Sequence, residues 1–191
     1  MHKNMPKFND NSYVHFVTTR TYKSRPYFRD EEFSRILLEE LRFYGKKYDF
    51  ALVGYVIMPA HLHLLLCWDK EKKPGLSVSK IMQGLKGATA RRNIDLVQDK
   101  GLERMLQSTH RNADSKSRRR NLRYRLWQPG FYDFNIYNEE KLLEKLDYIH
   151  GNPVRAGLAL SPRDYDWSSY REYFEEEGQK ELGQHLELRK F

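Results

Sequence analysis

The hydrophobic patterning of this 191-residue chain predicts an α+β domain, an antiparallel sheet covered by helices. Three observations carry that expectation. Short apolar runs of strand length alternate with amphipathic stretches of helical period. The runs 50–57 and 61–68 are separated only by Met58-Pro59-Ala60, where proline interrupts pairing and favours a turn, so they read as a hairpin. A further amphipathic helix follows the last strand region, so the order is strand, helix, strand, strand, helix, strand, helix. That order is the ferredoxin-like or RRM-like arrangement with one added C-terminal helix.

The first strand is expected over 12–20, where Val14, Phe16 and Thr18 alternate with Tyr13, His15 and Val17. A helix follows from Asp30, an N-cap with Glu31 and Glu32 favourably placed in the first turn. Phe33, Ile36, Leu37, Leu41 and Tyr44 form its apolar stripe. The second helix is expected over about 77–93, with Val78, Ile81, Met82, Leu85 and Ala88 inward and Lys80, Lys86, Arg91 and Arg92 outward. Gly84 and Gly87 cost that helix roughly 1 kcal/mol each relative to alanine, which asks for close packing or a close backbone approach. Residues 96–121 have little apolar periodicity and read as a basic insertion, with Arg118, Arg119, Arg120 and Arg123 in its cationic run or just beyond it. A fourth strand region is expected over 122–136, broken at Gln128-Pro129-Gly130. The third helix begins near Asn138 and is expected to end around Gly151-Asn152-Pro153, because the residue before proline resists helical geometry. The whole reads as one domain, 1–191, with its core at about 12–160 and an appendage at 161–191 that docks through Trp167, Tyr170, Tyr173 and Phe174.

Composition narrows the class of partner. A single cysteine rules out a disulfide framework, and no apolar stretch is long enough to span a bilayer, so a soluble, cytoplasmic protein is expected, with no membrane partner. The formal net charge of +8 favours a polyanion through phosphate contacts and counterion release. Thirteen tyrosines and ten phenylalanines add rings of which some can stack on unpaired bases, although most are expected to edge the sheet.

His61 and His63 are the most informative pair. On a strand they share one face, about 6.6 Å apart at Cα, so both imidazoles can reach a single divalent cation. Leu62, Leu64 and Leu66 fill the opposite face. The same pattern also suits two ordinary hydrogen-bonded histidines. Cys67 shares the histidine face but lies too far along the strand to join the pair, and reads as a small buried apolar residue.

Tyr148 is the second clue. At about 100° per residue, Leu142, Leu143, Leu146 and Ile149 define the buried stripe of the third helix, and Tyr148 falls on its polar side. Lys141, Lys145, Tyr148 and Asn152 form a neighbouring row. The ring either packs on the tail or on lysine stems, or serves as a nucleophile. A phenol is mostly protonated at neutral pH, so a nucleophilic tyrosine needs positive charge or a base beside it, and Lys145 supplies the charge. His150 sits about 200° away around the helix and is not expected to be that base.

Taken together, Val56-Ile57-Met58-Pro59-Ala60-His61-Leu62-His63-Leu64-Leu65, Trp127-Gln128-Pro129-Gly130-Phe131-Tyr132-Asp133, Asp147-Tyr148-Ile149-His150-Gly151-Asn152-Pro153-Val154-Arg155-Ala156-Gly157-Leu158 and Asp164-Tyr165-Asp166-Trp167-Ser168-Ser169-Tyr170 resemble the REP-associated tyrosine transposases (RAYT), IS200-like single-tyrosine HUH endonucleases. The resemblance runs from about residue 12 to 173, with residues 96–121 longer and more basic than the family core. It implies a metal-dependent single-strand DNA endonuclease and strand transferase acting at REP-type hairpins. His61, His63 and Asn152 would hold magnesium or manganese. Tyr148 would form a 5′-phosphotyrosine link. Lys86, Arg91, Arg118, Arg119, Arg120, Arg123 and Lys145 would contact the DNA, in a monomer or homodimer. Two other classes remain as alternatives: a domesticated hairpin-binding protein without turnover, and an RRM-like RNA-binding module.

Overall fold

In the computed structural model, which describes residues 14–101 and 125–174, four strands form one antiparallel sheet. They are β1 (Val14–Arg20), β2 (Ala51–Met58), β3 (His61–Cys67) and β4 (Tyr132–Ile136), in spatial order β2-β3-β1-β4. Helix α1 (Glu31–Tyr48) joins β1 to β2, and α2 (Val78–Asp99) lies between β3 and β4. That is the expected ferredoxin-like order. Helix α3 (Glu139–Arg155) and a short α4 (Tyr170–Phe174) follow.

Strand alternation splits the interior into two cores. On one face Val17, Leu62, Leu64 and Leu66 pack beneath α1 and α2, through Phe33, Leu37, Leu41, Ile81, Met82 and Leu85. On the other, Val14, Phe16, Val56, Leu65 and Cys67 pack beneath α3, through Leu142, Leu146 and Ile149. The sheet therefore lies between two helical layers, with the histidine face under α3. Gly84 belongs to close packing: a Cβ there would come within 2.5 Å of the Tyr44 ring across the α1–α2 contact, whereas Gly87 faces open space.

Local chemistry sets the ends of the helices. Asp30 caps α1 by accepting from the N–H groups of Glu32 and Phe33, Ser77 caps α2 through Lys80, and Asn138 caps α3 through Lys141. Helix α2 runs six residues past the expected end, so 96–99 belong to it and not to the insertion; buried Ile94 and Val97 extend its inner stripe. The fourth strand is shorter than expected. Ahead of Tyr132 the chain makes only an isolated bridge between Trp127 and Thr21, because Pro129 and Gly130, at φ 73°, break the ladder.

Helix α3 does not stop at Pro153. It runs through that buried proline to Arg155 and ends where Gly157 takes φ 67°. There the Leu158 N–H donates to the Pro153 carbonyl and the Gly157 N–H to the Val154 carbonyl, a Schellman closure. Proline bars helix only for the residue before it by preference, and the buried face outweighed that preference here. Leu143, expected in the buried stripe, is half-buried.

Beyond α3 the chain returns along the outer edge of β2. The Ile57 N–H donates to the Trp167 carbonyl at 2.8 Å, and the Ser169 N–H to the Tyr55 carbonyl at 3.0 Å. The Tyr165 hydroxyl donates to the Ile57 carbonyl at 2.8 Å. Through these contacts the segment around Tyr165, Trp167 and Ser169 lies against β2. No described helix is long and apolar enough to cross a membrane.

A register shift between Leu52 and Gly54 turns Gly54 toward α3, where an added Cβ would meet Leu146 Cδ2 at 3.0 Å and Ile149 Cδ1 at 3.1 Å. Gly54→Val should therefore destabilise the fold by about 1–3 kcal/mol, the usual range for overpacking, seen as a lower urea midpoint. An unchanged midpoint would show that α3 does not need that close approach.

Candidate active site

The sheet register assembles the site. His63 pairs with Thr18 on β1, and Thr18 pairs with Tyr132 on β4, so the three lie in one cross-strand row. Side chains of directly paired residues share a face, and this is the α3 face. His61 lies two residues earlier on β3, and the two imidazole centroids are 4.9 Å apart. Helix α3 crosses the same face and brings the Tyr148 ring to 5.6 Å from the His63 ring, edge-on, within one chain. The two clues from the sequence thus meet at one place.

Tyr148 is 42% exposed. Its helical angle puts it on the polar side, yet the long side chain folds under α3 to rest its edge on Phe16, centroids 6.0 Å apart. Phe16 also stacks on His63 at 5.6 Å. Two cations flank the phenol ring. Lys145 Nζ is 5.7 Å from its centroid and is paired with Glu144 at 3.0 Å. The Arg155 guanidinium is 4.9 Å from the centroid and donates to the Tyr148 carbonyl. Gly151 makes room for that guanidinium, since a Cβ there would sit 2.6 Å from Nη1.

The imidazoles are held neutral. Burial above all pushes His63 down to about 3, helped by its coupling to His61, which resists a second charge, and by the positive charge of Arg20 and Arg155. Burial, with Arg20, pushes His61 down to about 4. The Nδ1 of His63 is 2.7 Å from Thr18 Oγ1, while its buried Nε2 has no hydrogen-bond partner. When Nδ1–H donates to Thr18, the Nε2 lone pair is left free, the form a metal ligand takes. The donor set therefore fits a divalent cation. Among the described residues no third His, Cys, Asp or Glu joins the pair, so a further ligand must be of another type. Asn152 follows Tyr148 by one turn; its amide nitrogen donates to the Tyr148 carbonyl at 3.1 Å, which leaves the amide oxygen for such a role.

The expected DNA-contacting cations separate into three groups. Lys145 is at the site. Lys86 is engaged elsewhere: its ammonium donates to the carbonyls of Gln128 at 2.7 Å and Gly130 at 2.6 Å, and burial pushes it down to about 8. It braces the loop that leads into β4. Arg91 is exposed on α2, in the layer on the other side of the sheet from the histidines. Arg118, Arg119, Arg120 and Arg123 lie outside the described residues. His150 is buried and bonded at 2.9 Å to Ser169 Oγ, a structural role that agrees with its exclusion as the base.

Thr18, Phe16 and Arg155 escaped the sequence reading. Register cannot be read from one strand, so nothing placed Thr18 beside His63. Arg155 lies seven residues after Tyr148, two turns along the same face, and was missed because the helix was expected to stop at Pro153.

Residues 9–152 match the family described as Transposase IS200 like, and the chain belongs to that family. No curated protein matches it. Among solved structures, a REP-associated tyrosine transposase bound to a REP hairpin is similar over 90% of this chain and 84% of its own, at 16% identity and a TM-score of 0.57. A putative transposase from Deinococcus radiodurans R1 is similar over 77% and 95%, at 19% identity and a TM-score of 0.48. The first of these likenesses bears out the fold.

Buried neutral histidines make stability depend on pH. An unfolded histidine takes up its proton near 6.5, whereas folded His61, His63 and His150 resist to about 4, 3 and 4. Below 6.5 the unfolded chain binds more protons, so stability is lost as pH falls, by on the order of 1.4 kcal/mol per unit for each histidine. Glu172, pushed up to about 8 by burial, opposes this with one proton. The urea midpoint of the metal-free protein should drop between pH 7 and 5.5; a midpoint that holds or rises would contradict neutral burial of the three rings.

Proposed function

We propose that the chain is a metal-dependent single-strand DNA endonuclease and strand transferase, acting at REP-type hairpins through a 5′-phosphotyrosine intermediate. The observation that carries this reading is the convergence of a half-exposed phenol, its ring 5.6 Å from that of His63, on a pair of neutral imidazoles whose inner member has a free buried nitrogen. Family membership supports DNA transposition in general, and the fold it shares is that of a transposase seen with a REP hairpin.

In this reading Tyr148 Oη attacks the scissile phosphorus, a P–Oη bond forms, the P–O3′ bond breaks, and the 3′ oxygen leaves as a hydroxyl. The phenolic proton passes to water, to which the ring is open, and the 3′ oxygen takes one from water. Exchange of one phosphoester for another conserves bond energy, so rejoining needs no nucleotide cofactor. His61, His63 and the amide oxygen of Asn152 would hold magnesium or manganese, which when bound supplies Lewis-acid stabilisation of the phosphate. Thr18 fixes the ring of His63. Phe16 supports the phenol from below, Arg155 covers it, and Lys145 and Arg155 place positive charge where phosphate oxygens gather negative charge.

Tyr148→Phe should abolish the covalent DNA–protein adduct on a denaturing gel, with labelled hairpin and manganese, while hairpin affinity stays within a few-fold. An adduct of undiminished yield would move the nucleophile elsewhere. His63→Ala should remove metal-dependent cleavage, and cleavage that persists in chelator would refute the metal role. Thr18→Val should weaken manganese binding by about 10–100-fold, the usual cost of losing a group that orients a histidine ligand, measured by calorimetry without DNA. Equal affinity would leave Thr18 with a purely structural part.

A further inference from the structure

Tyr132 has no part in the reaction just described, yet it is 57% exposed at the start of β4. Its row is its peculiarity. Through Thr18 it stands two strands from His63, roughly 10 Å at about 4.8 Å per strand, on the same sheet face. The Phe16 ring meets Tyr132 at 6.3 Å and Tyr148 at 6.0 Å, edge-on to both, and stacks on His63. One aromatic floor thus runs from the imidazole pair and the phenol to an open ring at its outer end. Positive charge borders it: Lys145 Nζ is 5.5 Å from Phe16 and 5.9 Å from Phe134. Nearby Asp133 does not oppose this charge, because it turns to the other face and binds His15 at 3.1 Å.

We propose that Tyr132 is the platform on which one unpaired base next to the scissile phosphate stacks. The proposal rests on the single-strand endonuclease reading above and adds a subsite to it, for a nucleobase. A strand whose phosphate lies between the phenol and the imidazoles can lay its neighbouring base at the end of this floor, two strands from His63. An unpaired base there has lost its own stacking partners, and an exposed ring that edges Phe16, itself flanked by Lys145, offers it a π-face. Stacking of this kind tolerates any base, so Tyr132 contributes affinity and placement of the strand and leaves choice of sequence to other contacts.

The test is a double-mutant cycle. Wild type, Tyr132→Ala and Tyr132→Phe are titrated by fluorescence anisotropy against a hairpin oligonucleotide with single-stranded flanks, intact or with one abasic nucleotide moved along each flank. Tyr132→Ala should bind the intact probe roughly 5–100-fold more weakly, the worth of one base–aromatic stack, and Tyr132→Phe should match wild type. At one abasic position wild type should fall to the level of Tyr132→Ala, and that variant should lose nothing more. Equal affinity of Tyr132→Ala and wild type, or the same abasic penalty in both at every position, would overturn the platform. Adduct formation by wild type on the intact probe separates the two readings. If the adduct forms and the cycle is additive, only the platform fails; if wild type neither binds nor forms an adduct with any flanked hairpin, both fail.

Discussion

The seating of α3 on the histidine face of the sheet is the contact on which the rest of the molecule depends. It is possible because β2 shifts register at Gly54 and presents no side chain where Leu146 and Ile149 descend. One face of a ferredoxin-like sheet already has its helices, so the other must be covered or left wet. Covering it with a helix that carries Tyr148 does two things at once. It buries His63 to 4% exposure, which keeps the ring neutral, and it delivers a phenol to that ring's edge. Hydrophobic packing and the candidate site are therefore served by the same helix, the first by Leu142, Leu146 and Ile149 and the second by Tyr148.

The electrostatics follow from this burial. Two imidazoles that stay uncharged add nothing negative to a metal, so a bound cation would keep its full charge for phosphate. Arg20 and Arg155 act on His63, and Lys145 and Arg155 lie beside the Tyr148 ring, all of them positive. The Glu144 carboxylate is tied down by Lys141 and Lys145. A site so arranged favours an anion in the open space above the Phe16 floor. Lys86, by contrast, shows how a basic side chain in a basic protein can be engaged with structure.

Much of this was legible in the sequence, and the gaps have physical causes. Alternation in β1 and β3, the Pro59 turn and the three capped helices came from local patterns, and local patterns are what one chain displays. The His61–His63 pair and Tyr148 were visible because each breaks a pattern, with polar rings on an apolar strand and an aromatic on a charged helical side. Their meeting was an expectation supported by resemblance, since periodicity places a residue on its own element and says nothing of the element opposite. Thr18 was hidden for that reason. The end of α3 lies beyond the expected one because the preference at Pro153 is local and a tertiary contact overrides it, and Arg155 belongs to that extra turn. Gly54 carried no signal beyond being a glycine in a strand, a mark of a bulge or a close neighbour whose identity only packing reveals.

A four-stranded sheet has two borders, and the return of the chain through Trp167 and Ser169 occupies one of them with its own backbone. Among the described residues β4 is then the border left without a strand alongside. An open border is where one copy of a protein can zip onto another. Here it begins at Tyr132, so backbone pairing between two molecules along it would set both candidate sites on one continuous sheet.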